Sequence, residues 1–140
     1  MKIIHTSDWH IGKRLYNRDM EAAHQHFLDY LLAYIRQEKV EALLVSGDVF
    51  DIAYPSNAAL RVYYNFLRQL LETSCQQVII TGGNHDSAST LEAPAQVLEA
   101  LNIRVIGAIP NSPEDTLIPL TNQAGDTAAI VAAVPFLRDH

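Results

Sequence analysis

The sequence predicts an α/β fold, a layered sheet flanked by helices, and three observations carry that expectation. Short apolar segments recur around residues 2–6, 41–46, 77–81 and 103–106. Segments with helical periodicity separate them. The first three strands each run into a polar cluster rich in Asp, Asn and His. Strands that are continuously apolar and alternate with helices are the pattern of a sheet covered on both faces.

Lys2 to Thr6 reads as a buried strand that ends at a polar turn. Met20 to Lys39 reads as a helix. Ala23, Phe27, Tyr30, Leu31, Tyr34 and Ile35 fall on one face of it. Glu41 to Ser46, with Ala-Leu-Leu-Val, is a second buried strand. Ser56 can cap a helix that runs to about Ser74. Leu60, Tyr63, Tyr64, Leu67 and Leu71 make one apolar stripe on that helix, and Val62, Phe66 and Leu70 make another. Two stripes exceed what one sheet face needs, so the expectation is either a protein interface on one of them or a deeply buried helix. Gln77 to Thr81 is a third strand. A third helix is expected over Glu92 to Leu101, with Pro94 in its first turn. Ile103 to Ile106 is a fourth strand. Thr116 to Leu120 and Ala128 to Val134 are further strands with no helix between them, so that part is expected to be antiparallel or mixed.

The 140 residues are 49% hydrophobic and 19% charged, which is globular composition and enough chain for a core of its own. Ten Lys and Arg against 16 Asp and Glu leave a formal charge of −6. That argues against a non-specific basic nucleic-acid binder, though not against an enzyme that meets phosphate through a bound cation. Cys75 is the one cysteine, so no disulfide frames the chain, and a reducing compartment follows. No apolar stretch is long enough for a signal peptide or a membrane span. A soluble cytoplasmic protein is expected.

In α/β sheets ligands sit beyond the carboxyl ends of the strands. Ser7-Asp8-Trp9-His10 follows the first strand, Gly47-Asp48-Val49-Phe50-Asp51 the second, and Gly82-Gly83-Asn84-His85-Asp86 the third. Asp8 and His10 are two apart, which in an extended segment points both to one side. Asp48 has two oxygens and could bridge two cations. Asn84 offers a neutral carbonyl oxygen, and His85 beside it could face a substrate. One Asp or Asn after a strand is an ordinary turn residue or cap. Three such groups at successive strand exits are hard to assign to turns. The donors are oxygens and imidazoles without thiolate, which suits Mn²⁺, Mg²⁺ or Fe²⁺ better than structural zinc.

The segments Ile4-His5-Thr6-Ser7-Asp8-Trp9-His10-Ile11-Gly12, Gly47-Asp48-Val49-Phe50-Asp51 and Gly83-Asn84-His85-Asp86-Ser87 resemble those of calcineurin-like metallophosphoesterases. Trp9, Phe50 and Pro135-Phe136-Leu137-Arg138 are similar to the SbcD branch of bacterial nuclease subunits. The resemblance spans essentially the whole chain. It implies a metallophosphoesterase-type mixed sheet and a two-metal centre dependent on Mn²⁺. By motif, Asp8 and His10 would hold the first metal, Asp48 would bridge, and Asn84 would hold the second. His85 would be catalytic, Asp86 would orient it, and Asp51 would support the ligands from behind. It further implies DNA as substrate, cleaved by double-strand exonuclease and hairpin-opening endonuclease action. The implied partners are the ATPase SbcC and a second copy docked through helices.

The chain departs from that pattern in one respect. The family completes its centre with histidines from later Gly-His and Gly-His-x-His motifs. Of His5, His10, His24, His26, His85 and His140, only the last follows His85, and it sits in neither motif. Residues 1–140 therefore read as the N-terminal part of a nuclease domain, truncated at the C-terminus, with no second domain and an incomplete second metal site. A phosphatase or cyclic-nucleotide phosphodiesterase, or a non-catalytic dimerising module, are the other readings the residues allow. Lys13, Arg14 and Arg18 cluster after the first motif and could contact DNA phosphates, a solvated loop being the alternative. His5 is expected to be a packed or hydrogen-bonded core histidine rather than a ligand. His24 and His26 are expected to be surface or partly packed histidines, and Cys75 a buried or neutral thiol.

Overall fold

The structure is a computed structural model that describes residues 1–137; Arg138 and His140 lie outside them. Four parallel strands form the central sheet: β1 (Ile3–Thr6), β4 (Ala42–Ser46), β5 (Gln77–Thr81) and β6 (Ile103–Ile106), in that spatial order. Side chains alternate between its two faces, as the period of two requires. Leu43, Val45, Val78, Ile80 and Ile103 point toward the helices and join the larger core. Ala42, Ile79 and Ile106 point the other way, into a smaller cluster with Ile118, Leu120 and Ala133. That second layer is the antiparallel pair β7 (Leu117–Thr121) and β8 (Thr127–Ala132). The strands after β6 are antiparallel, as expected, and form a hairpin separate from the purely parallel central sheet.

Helix α1 (Glu21–Glu38) and helix α2 (Asn57–Leu70) cover the first face. The Ser56 hydroxyl accepts the Ala59 N–H at 3.2 Å and caps α2. Trp9 stands edge-on to Phe66 with centroids 5.2 Å apart, and Phe50 meets Tyr63 likewise at 5.2 Å. These rings join the strand-exit loops to α2, so the loops rest on packed core.

Several expectations are corrected. Strand β1 is an edge strand rather than a buried one: Ile3 and His5 are exposed, and His5 Nε2 meets Ser46 Oγ at 2.7 Å. Burial on α1 falls on Leu28, Leu31, Leu32 and Ile35, while Phe27, Tyr30 and Tyr34 are exposed. The buried face is turned by about a quarter of a revolution from the expected one, at 100° per residue. Branched aliphatic side chains take the core, and tyrosines, with a hydroxyl to hydrate, take the rim. Both stripes of α2 are largely core, leaving Tyr64 and Leu71 outside. Helix α2 ends at Leu70, short of Ser74. Pro94 splits the third helix into α3 (Ala88–Glu92) and α4 (Ala95–Glu99), because it has no N–H to continue the first segment. Residues after the first motif form a hairpin rather than a loop, β2 (Arg14–Leu15) with β3 (Arg18–Asp19).

Candidate metal centre

The strand order places the exits of β1, β4 and β5 side by side, and backbone bonds continue past the strands. Asp8 N–H donates to Gly47 O, His10 N–H to Asp48 O and Ile11 N–H to Val49 O, at 3.2, 2.9 and 2.9 Å. The chain turns at the candidate ligands themselves. Asp8, His10 and Asp48 have φ of 57°, 46° and 50°. Non-glycine residues seldom adopt this left-handed region, and such strain gathers at functional sites. Asp8 and His10 therefore converge through left-handed turns, not through the extended segment expected. Gly83 is required for a steric reason: a Cβ there would collide with the Asp48 carboxylate and backbone nitrogen.

His10 Nε2 lies 3.8 Å from Asp8 Oδ1 and 3.8 Å from Asp48 Oδ2. One donor atom from each of these three residues falls within 4.8 Å of the others. His10 Nδ1 faces Asp51 Oδ1 at 3.4 Å, close but without hydrogen-bond geometry. Asp48 also accepts the His85 N–H on Oδ1 at 3.0 Å, which holds the third loop against the second. His85 Nδ1 lies 2.7 Å from the carbonyl oxygen of Asp51. A carbonyl only accepts, so Nδ1 carries the proton and Nε2 is left for other work. The two imidazoles stand edge to face, 4.9 Å apart. Asn84 is exposed, and with Asp8, Asp48, Pro135 and Phe136 it lines a cavity of about 290 Å³. Phe136 N–H donates to Gly82 O at 2.8 Å, which brings part of the Pro-Phe-Leu-Arg segment to this wall.

The donor set fits a divalent cation. Asp8, Asp48 and Asp51 crowd around one imidazole, and the cation paired with them is Lys13, 3.7 Å from Asp51. Carboxylate, amide and imidazole donors without thiolate suit a hard or borderline metal. All six residues from Asp8 to His85 named as ligands, support or catalytic group thus meet at one sheet edge. Asp86 takes a different place from the one expected. It is 2% exposed, and its carboxylate accepts Gly83 N–H at 2.9 Å, Phe50 N–H at 3.0 Å and Val49 N–H at 3.2 Å. It ties two strand-exit loops together, while the Asp51 carbonyl orients His85.

His24, expected as a surface or partly packed histidine, is half-buried on α1 and stands within electrostatic reach of the cluster. Burial lowers its pKa, opposed by Asp19 and Asp51, and His10 and Lys13 lower it further. No local sequence signal marks this, because α1 is brought to the site by tertiary packing. Lys13, Arg14 and Arg18 all lie on or beside the β2–β3 hairpin.

The sequence model of the calcineurin-like phosphoesterase family matches residues 1–129. The chain is 44% identical, over 99% of its length, to the SbcD subunit of the SbcCD nuclease of Rhodobacter capsulatus, of which it covers 36%. It is 38% identical to the SbcD subunit from Escherichia coli, again over 99% of this chain and 33% of the relative. The SbcD subunit from Bacillus subtilis is 30% identical over 94% of the chain and is covered to 33%. The chain spans about a third of the length of these curated relatives.

Proposed function

The chain belongs to the calcineurin-like phosphoesterase family, and from that premise we propose that it is the N-terminal part of a metal-dependent DNA nuclease. The observation that carries this is the convergence of Asp8, His10 and Asp48, with donor atoms within 4.8 Å, beside His85. Asp8 and His10 would hold one cation, Asp48 would bridge to a second, and Asn84 would hold that second one. Mn²⁺ fits this donor set, as do Mg²⁺ and Fe²⁺. Such cations, when bound, neutralise phosphate charge and make water nucleophilic near neutral pH.

The chain's own residues do the rest. Asp51 holds the Nδ1 proton of His85 through its carbonyl, so a second proton on Nε2 is the one His85 can pass to the leaving oxygen. The Asp51 carboxylate attracts the Nδ1 side of His10 and turns Nε2 toward Asp8 and Asp48. Asp86 keeps the loops in register. Lys13, Arg14 and Arg18, on or beside the β2–β3 hairpin, would meet backbone phosphates. The relatives are named as nuclease subunits, which supports phosphodiester hydrolysis and an ATPase partner of the SbcC kind. A homodimer would use what α2 and α4 leave exposed, Tyr64, Leu71 and Val97. A cytoplasmic location accords with a single buried thiol; among the described residues no helix is long and apolar enough to cross a membrane.

The test is cleavage of end-labelled linear duplex DNA in Mn²⁺, beside a chromogenic phosphate ester. Duplex cleavage that falls about 10²–10⁴-fold in His85→Ala is the expected result, the usual size of a lost proton-transfer group. In Asp48→Asn cleavage is expected to vanish. Undiminished cleavage in either variant contradicts the assignment, and turnover of the ester alone replaces the nuclease by a phosphatase.

A further inference from the structure

The β2–β3 hairpin pairs Arg14 with Asp19 and Leu15 with Arg18, so its turn is Tyr16-Asn17 alone. Both turn residues have positive φ, 47° and 62°, the combination of a type I′ turn that suits tight hairpins. Asn17 is at home there. Tyr16 is not, because a bulky side chain in the left-handed region is an outlier. The strain is not offset by burial: Tyr16 is 94% exposed. An isolated exposed apolar residue needs no explanation on its own. This one is a ring held in water at an unfavourable backbone position, on a support anchored at both ends.

The anchors lie at the candidate centre. Lys13 N–H donates to His10 O at 3.0 Å, and Met20 N–H closes the hairpin base on Lys13 O at 3.2 Å. Glu21 N–H donates to the Asp19 carboxylate at 2.7 Å, which fixes the far strand to the start of α1. Arg14 reaches the Asn17 carbonyl at 3.1 Å and braces the turn. Six residues separate Tyr16 from His10, so the ring's backbone is at most about 20 Å from the centre. The hairpin is also basic: Arg14 and Arg18 lie on its two strands and Lys13 at its base, in a chain of net charge −6. An aromatic face beside cations is the combination that binds single-stranded nucleic acid, with phosphates on the charges and a base on the ring. A fully paired duplex interior hides its base faces; an end, an overhang or a hairpin loop exposes them.

We infer that the β2–β3 hairpin carries a base-stacking platform, the Tyr16 ring, for a terminal or unpaired base of the DNA. This rests on the DNA reading and adds to it how ends and loops are distinguished from duplex interiors. The prediction is a binding preference set by the ring and separable from catalysis.

The experiment measures binding of the chain, in EDTA so that no strand is cut, to two labelled DNAs. One is a duplex with a short overhang carrying 2-aminopurine. The other is a covalently closed duplex circle of similar phosphate content. Tyr16→Gly removes the ring while keeping a residue that accepts positive φ, and Tyr16→Phe keeps the ring. The expected result is that Tyr16→Gly weakens overhang binding about tenfold, within the range for one lost stack. Circle binding stays unchanged, and 2-aminopurine quenching is lost. Tyr16→Phe restores both affinity and quenching. Equal overhang affinity and quenching in wild type and Tyr16→Gly overturn the platform and leave the DNA reading intact. If wild type binds neither DNA at low salt, the DNA reading itself falls, and the platform with it.

Discussion

Asp48 serves two neighbours with one carboxylate: Oδ2 faces His10, and Oδ1 receives the His85 N–H. Asp86 serves three backbone N–H groups and is buried. Removing it leaves those donors unpaired, at about 1–3 kcal/mol for each that stays dry. Asp86→Ala should therefore lower unfolding free energy by about 3 kcal/mol or more, read by denaturant titration. A loss under about 1 kcal/mol would contradict its role as the tie between loops. His24 gives a pH signature. Burial lowers its folded pKa below 6.5, so its neutral form is favoured in the fold. Its contribution is present above pH 6.5 and is lost as pH falls through that value toward the folded pKa. His24→Gln should then lose less stability than wild type on acidification through this window. Identical slopes would contradict the assignment. Much of the site was legible at this scale. The order Asp-x-His, Gly-Asp-x-x-Asp, Gly-Asn-His-Asp names its donors. Two features were not legible: the left-handed backbone at Asp8, His10 and Asp48, and the tie that the Asp86 carboxylate makes between two strand-exit loops. Both depend on how loops from three different strands meet.

The elements show where periodicity suffices and where it does not. β4 and β5 lie where their apolar runs place them, because a central strand buried on both faces leaves little ambiguity. β1 has the same local pattern yet sits at an edge, and strand order is a property of the sheet rather than of the segment. On α1 a broad apolar arc offered several faces, and packing against α2 and the sheet selected the aliphatic one. The segment after α2 makes a chemical prediction. Cys75 is 3% exposed, and burial pushes its thiol up to about 11, partly countered by its bond to the Gln77 carbonyl. In the native state at neutral pH it should resist alkylation, and it should react promptly once denaturant is added. Prompt labelling of the folded chain, followed by mass spectrometry, would contradict this placement.

Across the whole molecule, stability comes from the two faces of one sheet and the candidate chemistry from its carboxyl ends. Two hydrophobic clusters, one on each face, hold the parallel strands. Their carboxyl ends carry the donors, and the adjoining hairpin carries cations beside them. Under the proposed function an acidic chain would meet DNA in this way, since a cation at the centre and three basic side chains beside it would change the local field where the net charge does not. The α/β class followed from strand–helix alternation. The antiparallel pairing of β7 and β8 was expected, but their separation into a second layer was not, because the face they pack against is set by tertiary contact. The central claim is that three strand exits build a divalent-cation site. The most direct measurement is a calorimetric titration with Mn²⁺ of wild type, Asp48→Asn and His85→Ala. Saturable binding to wild type and His85→Ala, weakened about tenfold or more in Asp48→Asn, is what the geometry predicts. Binding that is absent from wild type, or unchanged in Asp48→Asn, would contradict it.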